Sequence, residues 1–156
     1  MLLYFSHLTL QRTRTGIKAI KATALVHLYP PKHHELASVI IDDVLSFDPD
    51  NAPCLFGKAF ILEALERWEE ARTYFLRVAS LLPEDGFNRL RSIEEAAWCQ
   101  FQSGQQEEGL SSLQHALALL NDLPCREADR ARCLWRIGQC QGAAAGTLWD
   151  HNVSLD

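Results

Sequence analysis

The stretch DPDNAPCLFGKAFILEALERWEEARTYFLRVASLLPED, residues Asp48 to Asp85, decides the fold. Within it Pro49 and Pro83 stand 34 residues apart, and between them two apolar stripes share one spacing. Leu55, Ala59 and Leu62 lie at i, i+4 and i+7, as do Ala71, Phe75 and Val78, which predicts two amphipathic helices. Asp50 or Asn51 can accept from the free N–H groups that open the first helix, and Pro53 in its first turn has no N–H to lose. Pro83 disfavours the α conformation at Leu82, so the second helix should stop there. A pair of this length cannot bury its own apolar face, so such units must stack on one another.

The same pattern recurs outward from this unit. Shifted by 34 residues, Ala37, Ile41 and Val44 fall on Ala71, Phe75 and Val78, and Pro49 falls on Pro83. Further on, Gly109, Leu113 and Ala116 take these places at a spacing of 38, with the four extra residues expected in the linker at Gly86. The period and the small residues Ala59 and Ala71, placed where helix backbones come closest, resemble the tetratricopeptide repeat (TPR). Leu134, Ile137 and Gly138 match its W-x-x-L-G core with Leu in place of Trp. Glu66 stands where the consensus usually puts a turn glycine.

The resemblance implies an all-α, TPR-type right-handed superhelical array of antiparallel helix pairs with about seven helices. Its expected divisions are an N-terminal basic segment and first repeat helix over 1–31, a second helix over 32–49 and a complete repeat over 50–83. A repeat with a linker insertion follows over 84–121, then the first helix of an incomplete repeat over 122–141 and an irregular tail over 142–156. In the opening helix, Ala22, Leu25 and Leu28 are expected to face inward. The tail is expected to be poorly ordered in isolation, with Leu148 and Trp149 its only residues bulky enough to cover the apolar stripe of the last helix.

Composition narrows the function classes. The chain has 156 residues, 47% hydrophobic and 22% charged, which suits one globular domain. Residues 1–34 carry five Lys or Arg and no acid, while the remainder holds ten basic against twenty acidic residues. So acidic a body lacks the basic stripe that displaces counterions from nucleic acid, and direct nucleic-acid binding is not expected. No apolar run approaches the ~20 residues of a membrane span. The acid-free segment from Gln11 to Lys21 has the composition of a mitochondrial presequence as well as of a repeat helix.

The five cysteines form no C-x-x-C pair and read as buried reduced thiols, in a reducing compartment. His33-His34-Glu35 contains the H-x-E of a zinc deaminase, and Pro53-Cys54 and Pro124-Cys125 each begin its other half. Gly57 and Ala128 occupy the second cysteine positions, so both continuations fail. A metal-dependent enzyme using His27, His33 or His34 is the alternative from another class, yet no nucleotide-binding, zincin or hydrolase motif is present. The reading is therefore a non-enzyme with no cofactor and no metal site.

In a TPR array the surface that binds is the concave face of the first helices. On this chain the matching positions are Phe56, Phe60 and Glu63, then Arg91, Glu94, Glu95, Trp98 and Phe101, then Arg132, Trp135, Arg136 and Gln139. Aromatic and Arg side chains are the types that anchor interfaces. The alternative for Trp98 and Trp135 is packing against the neighbouring repeat. Phe56 and Phe60 replace the polar residues with which TPR co-chaperones grip a C-terminal carboxylate, which points to extended or apolar partners.

The run from Ile40 to Asp85, followed by EEAAWCQFQSGQQEEG and ARCLWRIGQC, resembles the TPR scaffold subunits of the superkiller complex, particularly fungal forms. That resemblance implies a piece of a longer cytoplasmic scaffold. Such a scaffold holds helicase and β-propeller subunits for the RNA exosome's 3′-to-5′ mRNA decay. A mitochondrial or generic TPR adaptor is the alternative.

Overall fold

A computed structural model describes residues 2–28, 30–83, 86–124 and 126–153, with side chains placed from 9 to 143 except at 87. Seven helices follow one another: α1 (Leu2–His27), α2 (His34–Phe47), α3 (Ala52–Ala64), α4 (Trp68–Leu81), α5 (Phe87–Gln102), α6 (Gln106–Asn121) and α7 (Glu127–Val153). No strand occurs among the described residues, and each helix packs on the next. First helices also meet one another, α1 against α3 and α5 against α7. The chain is an all-α, TPR-like helical array.

The second helix of each pair carries the shared apolar register inward. Ala37, Ile41 and Val44 of α2, Ala71, Phe75 and Val78 of α4, and Gly109, Leu113 and Ala116 of α6 are all buried. Leu55, Ala59 and Leu62 of α3 answer them from the first-helix side, with Ala59 and Ala71 in one cluster with Phe75, Ala96 and Cys99. Burying a Phe or Leu side chain is worth ~1.5–3 kcal/mol, so these stripes supply most of the drive to stack.

Polar groups settle the ends. The Asn51 Oδ1 accepts from the Cys54 N–H at 3.2 Å, and Leu82 is extended ahead of Pro83. Glu66, at the turn-glycine position, has φ of 57°, a left-handed conformation that costs a non-glycine residue ~1–2 kcal/mol. The backbone there closes with Arg67 N–H to Leu62 O at 2.9 Å. Gly104 makes the equivalent turn at φ of 98°, with Gln105 N–H to Gln100 O at 3.2 Å. Arg89 and Arg130, each near the start of a first helix, reach back to carbonyls at the end of the helix before, Ala79 at 3.2 Å and Leu120 at 3.1 Å, and Arg130 also to Leu123 in the connection at 3.0 Å.

Three expectations are corrected. The inner face of α1 is Ala19, Ala22 and Val26, with Leu28 exposed, because the face that meets α2 and α3 is rotated from the one the apolar spacing suggested. The residues added to the third repeat lie mostly in α5, which has 16 residues where α3 has 13, rather than in the linker at Gly86. The stretch read as an irregular tail continues α7 as far as Val153. Ala143, Ala144 and Ala145 are strong helix formers, and they carry the ladder past Gly142 and Gly146. The side chains of Leu148 and Trp149, and residues 154–156, lie outside the described residues, as does Cys125.

Two glycines give opposite expectations. A Cβ built at Gly109 would stand 2.5 Å from the Phe101 backbone nitrogen and 2.7 Å from its Cα, whereas one at Gly138 meets nothing within 4 Å. Gly109→Ala should therefore destabilise by ~1–3 kcal/mol through overpacking. Gly138→Ala should stabilise by ~0.5–1 kcal/mol through helix propensity. Chemical denaturation followed by circular dichroism reads both.

Candidate functional site

The first helices bring their polar stripes together because each repeats the same turn. Glu63 on α3, Arg91, Glu94 and Glu95 on α5, and Arg132 and Arg136 on α7 occupy the side opposite the second helices, and their charges meet across the helix boundaries. Glu94 is fully buried. It accepts from Arg132 Nε at 3.0 Å, Arg132 Nη2 at 2.6 Å and Arg136 Nη1 at 3.1 Å. The first two form a bidentate fork, the strongest geometry open to a carboxylate and a guanidinium. Arg132 also donates to Asp129 Oδ1 at 3.0 Å, a turn earlier on its own helix.

Glu95, equally buried, accepts from Arg136 Nη2 at 2.7 Å. Its other oxygen stands 2.6 Å from Arg91 Nε as an ion contact without hydrogen-bond alignment. Arg136 lies over the Trp98 ring at 5.3 Å, a cation–π contact. Burial works to lower its pKa, and the charges of Glu95, Glu94 and Glu63 outweigh that and hold it above the ordinary arginine value.

Glu63 is the unmatched member. Its Oε1 is 4.0 Å from Arg136 Nη2, and its buried Oε2 has no hydrogen-bond partner. Burial first, and then the negative charge of Glu95, push its pKa up to about 7. Beside it lies a mostly apolar recess of about 430 Å³ lined by His27, His34, Phe60, Glu63 and Trp68, among others. Burial, and then the charge of Arg91, lower the pKa of His27. The ring of His34 contacts the carbonyl of Val26 at 3.2 Å, tying the start of α2 to the end of α1.

The aromatic members divide in two. Phe56 and Phe60 meet edge-to-face at 4.9 Å, and each touches Phe75 at 5.4 Å, so both are half-buried. Trp98 stacks on Phe101 at 6.0 Å and leans on Trp135 at 6.5 Å. Trp98 and Phe101 are half-buried against the neighbouring helix, whereas Trp135 is 60% exposed and Gln139 is exposed beside it.

The twelve residues expected to line an open face are therefore not equivalent. Glu94, Glu95 and Arg136 are buried and hold the helices together, and this corrects their reading as an accessible surface. Sequence reasoning missed Asp129 and Trp68, and it considered His27 only as a possible metal ligand. A usable signal was present: Glu94 and Glu95 on one first helix face Arg132 and Arg136 on the next, pairs of opposite charge about one repeat apart.

Among the described residues, no three His, Cys, Asp or Glu come together to hold a metal ion. Cys54, Cys99, Cys133 and Cys140 are free and buried. Burial pushes the Cys54 and Cys133 thiols up to about 11 and the Cys99 thiol up to about 12, so they are neutral packing groups and poor nucleophiles at neutral pH.

Two outcomes follow from this cluster. Because the folded Glu63 carboxyl has a pKa of about 7 against an unfolded value near 4.5, the native state holds the extra proton between these values. Stability from this group is full below about 4.5 and falls as pH rises through about 7. Glu63→Gln should remove that fall, leaving the variant on the order of 1–3 kcal/mol more stable than wild type at pH 8 relative to their difference at pH 5. Urea titrations at both pH values check it. Arg136→Met should cost ~3–5 kcal/mol by leaving buried Glu95 without its hydrogen-bond donor and taking one of three from Glu94, read as a lowered denaturation midpoint.

No family model matches the chain. It is 29% identical over 116 residues to superkiller protein 3 of Saccharomyces cerevisiae, a match covering 74% of this chain and 8% of that protein. It is 26% identical over 133 residues to superkiller protein 3 of Schizosaccharomyces pombe, covering 80% of this chain and 9% of that protein. The chain thus spans less than a tenth of the length of the curated relatives it matches. Both matches carry one name, and with the all-α array they establish the resemblance first read from the repeats: this chain is similar to a short stretch of superkiller protein 3.

Proposed function

We propose that this chain is a protein-binding segment of a superkiller-type scaffold, acting in the cytoplasm, where it supports exosome-dependent 3′-to-5′ mRNA decay. Its partners in this reading are the helicase and β-propeller subunits of that complex, and it neither binds RNA itself nor catalyses a reaction. The observation that carries the reading is the extended similarity to superkiller protein 3 in two fungi. The acidic body agrees with a scaffold that leaves RNA to its partners. Among the described residues no helix is long and apolar enough to cross a membrane.

The face of contact in this reading is the aromatic part of the first-helix side, where Trp135 and Gln139 are open and Trp98, Phe101 and Phe60 are partly so. A large aromatic beside a buried arginine has the composition of an interface anchor. Trp135→Ala is expected to weaken co-purification with the helicase or the β-propeller subunit at least about tenfold, with unchanged thermal melting because the ring is mostly exposed. Binding of neither subunit by the wild-type chain, or equal binding by the variant, overturns the assignment.

A further inference from the structure

The charged cluster on the first-helix side is one cation short. Among the described residues its contacts join Glu63, Glu94, Glu95 and Asp129 to Arg91, Arg132 and Arg136, four carboxylates against three guanidiniums. Glu94, Glu95 and Asp129 each accept hydrogen bonds from an arginine. The remaining negative charge falls on Glu63, which has the 4.0 Å approach of Arg136 and no donor at Oε2.

Glu63 also lines the recess of about 430 Å³ enclosed between two repeats, to which α1, α2, α3 and α4 all contribute. Val26 and His34 are its buried members, Phe60 and Trp68 are half-buried, and His27 and Ala64 are exposed. The His27 ring braces Phe60 edge-to-face at 5.5 Å, and His34 is engaged by the Val26 carbonyl. No lysine or arginine lines the recess among the described residues. The charges that reach Glu63 from neighbouring helices are Glu94 and Glu95 against Arg91 and Arg136, which balance, so Glu63 itself sets the sign of the site. Burial and Arg91 hold His27 below the ordinary histidine value, which keeps it neutral at neutral pH.

We infer that this recess takes the side chain of a lysine from a partner protein, with the ammonium beside Glu63 and the methylene stem against Val26, Phe60 and Trp68. Apolar walls suit the long stem, and aromatic rings attract a cation at their faces. Lysine fits better than arginine because Oε2 is enclosed, so a guanidinium fork cannot close on both carboxylate oxygens. Glu63 has a pKa of about 7, and an ammonium beside it favours the ionised form, so binding releases a proton and tightens as pH rises through about 7. His27 on α1, His34 on α2, Arg91, Glu94 and Glu95 on α5 and Arg136 on α7 share that surrounding, and removing the Glu63 carboxyl alone separates its part from theirs. The inference rests on the first-helix side being the face of contact, and it names the partner's group there without using Trp135.

The test titrates the full, isotopically labelled chain with Nα-acetyl-lysine N-methylamide and follows the Trp68 indole and the Phe60 and Glu63 amides by NMR. These signals should shift saturably, and affinity should rise on the order of tenfold between about pH 6 and about pH 8. The norleucine analogue, which keeps the stem and lacks the charge, should bind at least about tenfold more weakly. Glu63→Gln should weaken lysine binding by at least about tenfold at about pH 8 and lose most of the pH dependence. Trp135→Ala should bind the lysine probe as wild type does, so failure of this site and failure of the subunit-binding reading are told apart. No saturable shift at the recess, equal binding of the norleucine or arginine analogue, or an unchanged pH dependence in Glu63→Gln overturns the proposal. So does a dimer that Glu63→Gln dissolves, since a second copy of the chain then supplies the lysine.

Discussion

The tightest constraint in the molecule is the approach of α6 to α5 at Gly109, where there is no room for even one carbon between the two backbones. The corresponding position of each second helix carries a small buried residue, Ala37, Ala71 or Gly109. Because the backbones come this close, Phe75 and Leu113 one turn later are driven into the layer between helices and fully enclosed. Packing at that density leaves little slack. The spacing set at the crossing is passed along each helix to its far side, where the first helices must bring charged groups within bonding distance.

The charges that meet there are a second layer of specificity laid over the apolar one. A carboxylate and a guanidinium leaving water each lose several kcal/mol of hydration, and their attraction repays this only when geometry is good. Glu94 meets that condition with three donors from two arginines, and Glu63 does not, having only the 4.0 Å approach of Arg136. Matched pairs fix which helix lies against which. The unmatched one makes the fit sensitive to a proton, because its neutral form avoids the repulsion of Glu95.

The second helices were legible because apolar spacing is a direct report of burial, and α2, α4 and α6 place the expected residues inside. The turn at Glu66 was less legible, since the consensus puts a glycine there, and Glu66 itself takes the left-handed conformation at φ of 57°. The candidate site was half legible. Trp135, which could equally have packed on the neighbouring repeat, is 60% exposed, while Glu94, Glu95 and Arg136 were read as surface because charged residues are rarely enclosed without partners. Their partners are about forty residues away, and local periodicity carries no information over that distance. The end of α7 was missed because 142–156 lacks the apolar period of a second helix, although a first helix already under way can run on and bears a glycine at ~1 kcal/mol.

Stacked repeats are ordinarily described as a one-dimensional chain in which each unit senses only its neighbours. The reach of Arg136 from α7, past α5, to Glu63 of α3 adds a link between units that are not adjacent. Loosening α7 therefore also removes a positive charge that helps Glu63 of α3 stay ionised. The outer repeats are thus related through one arginine as well as through the apolar layers between them.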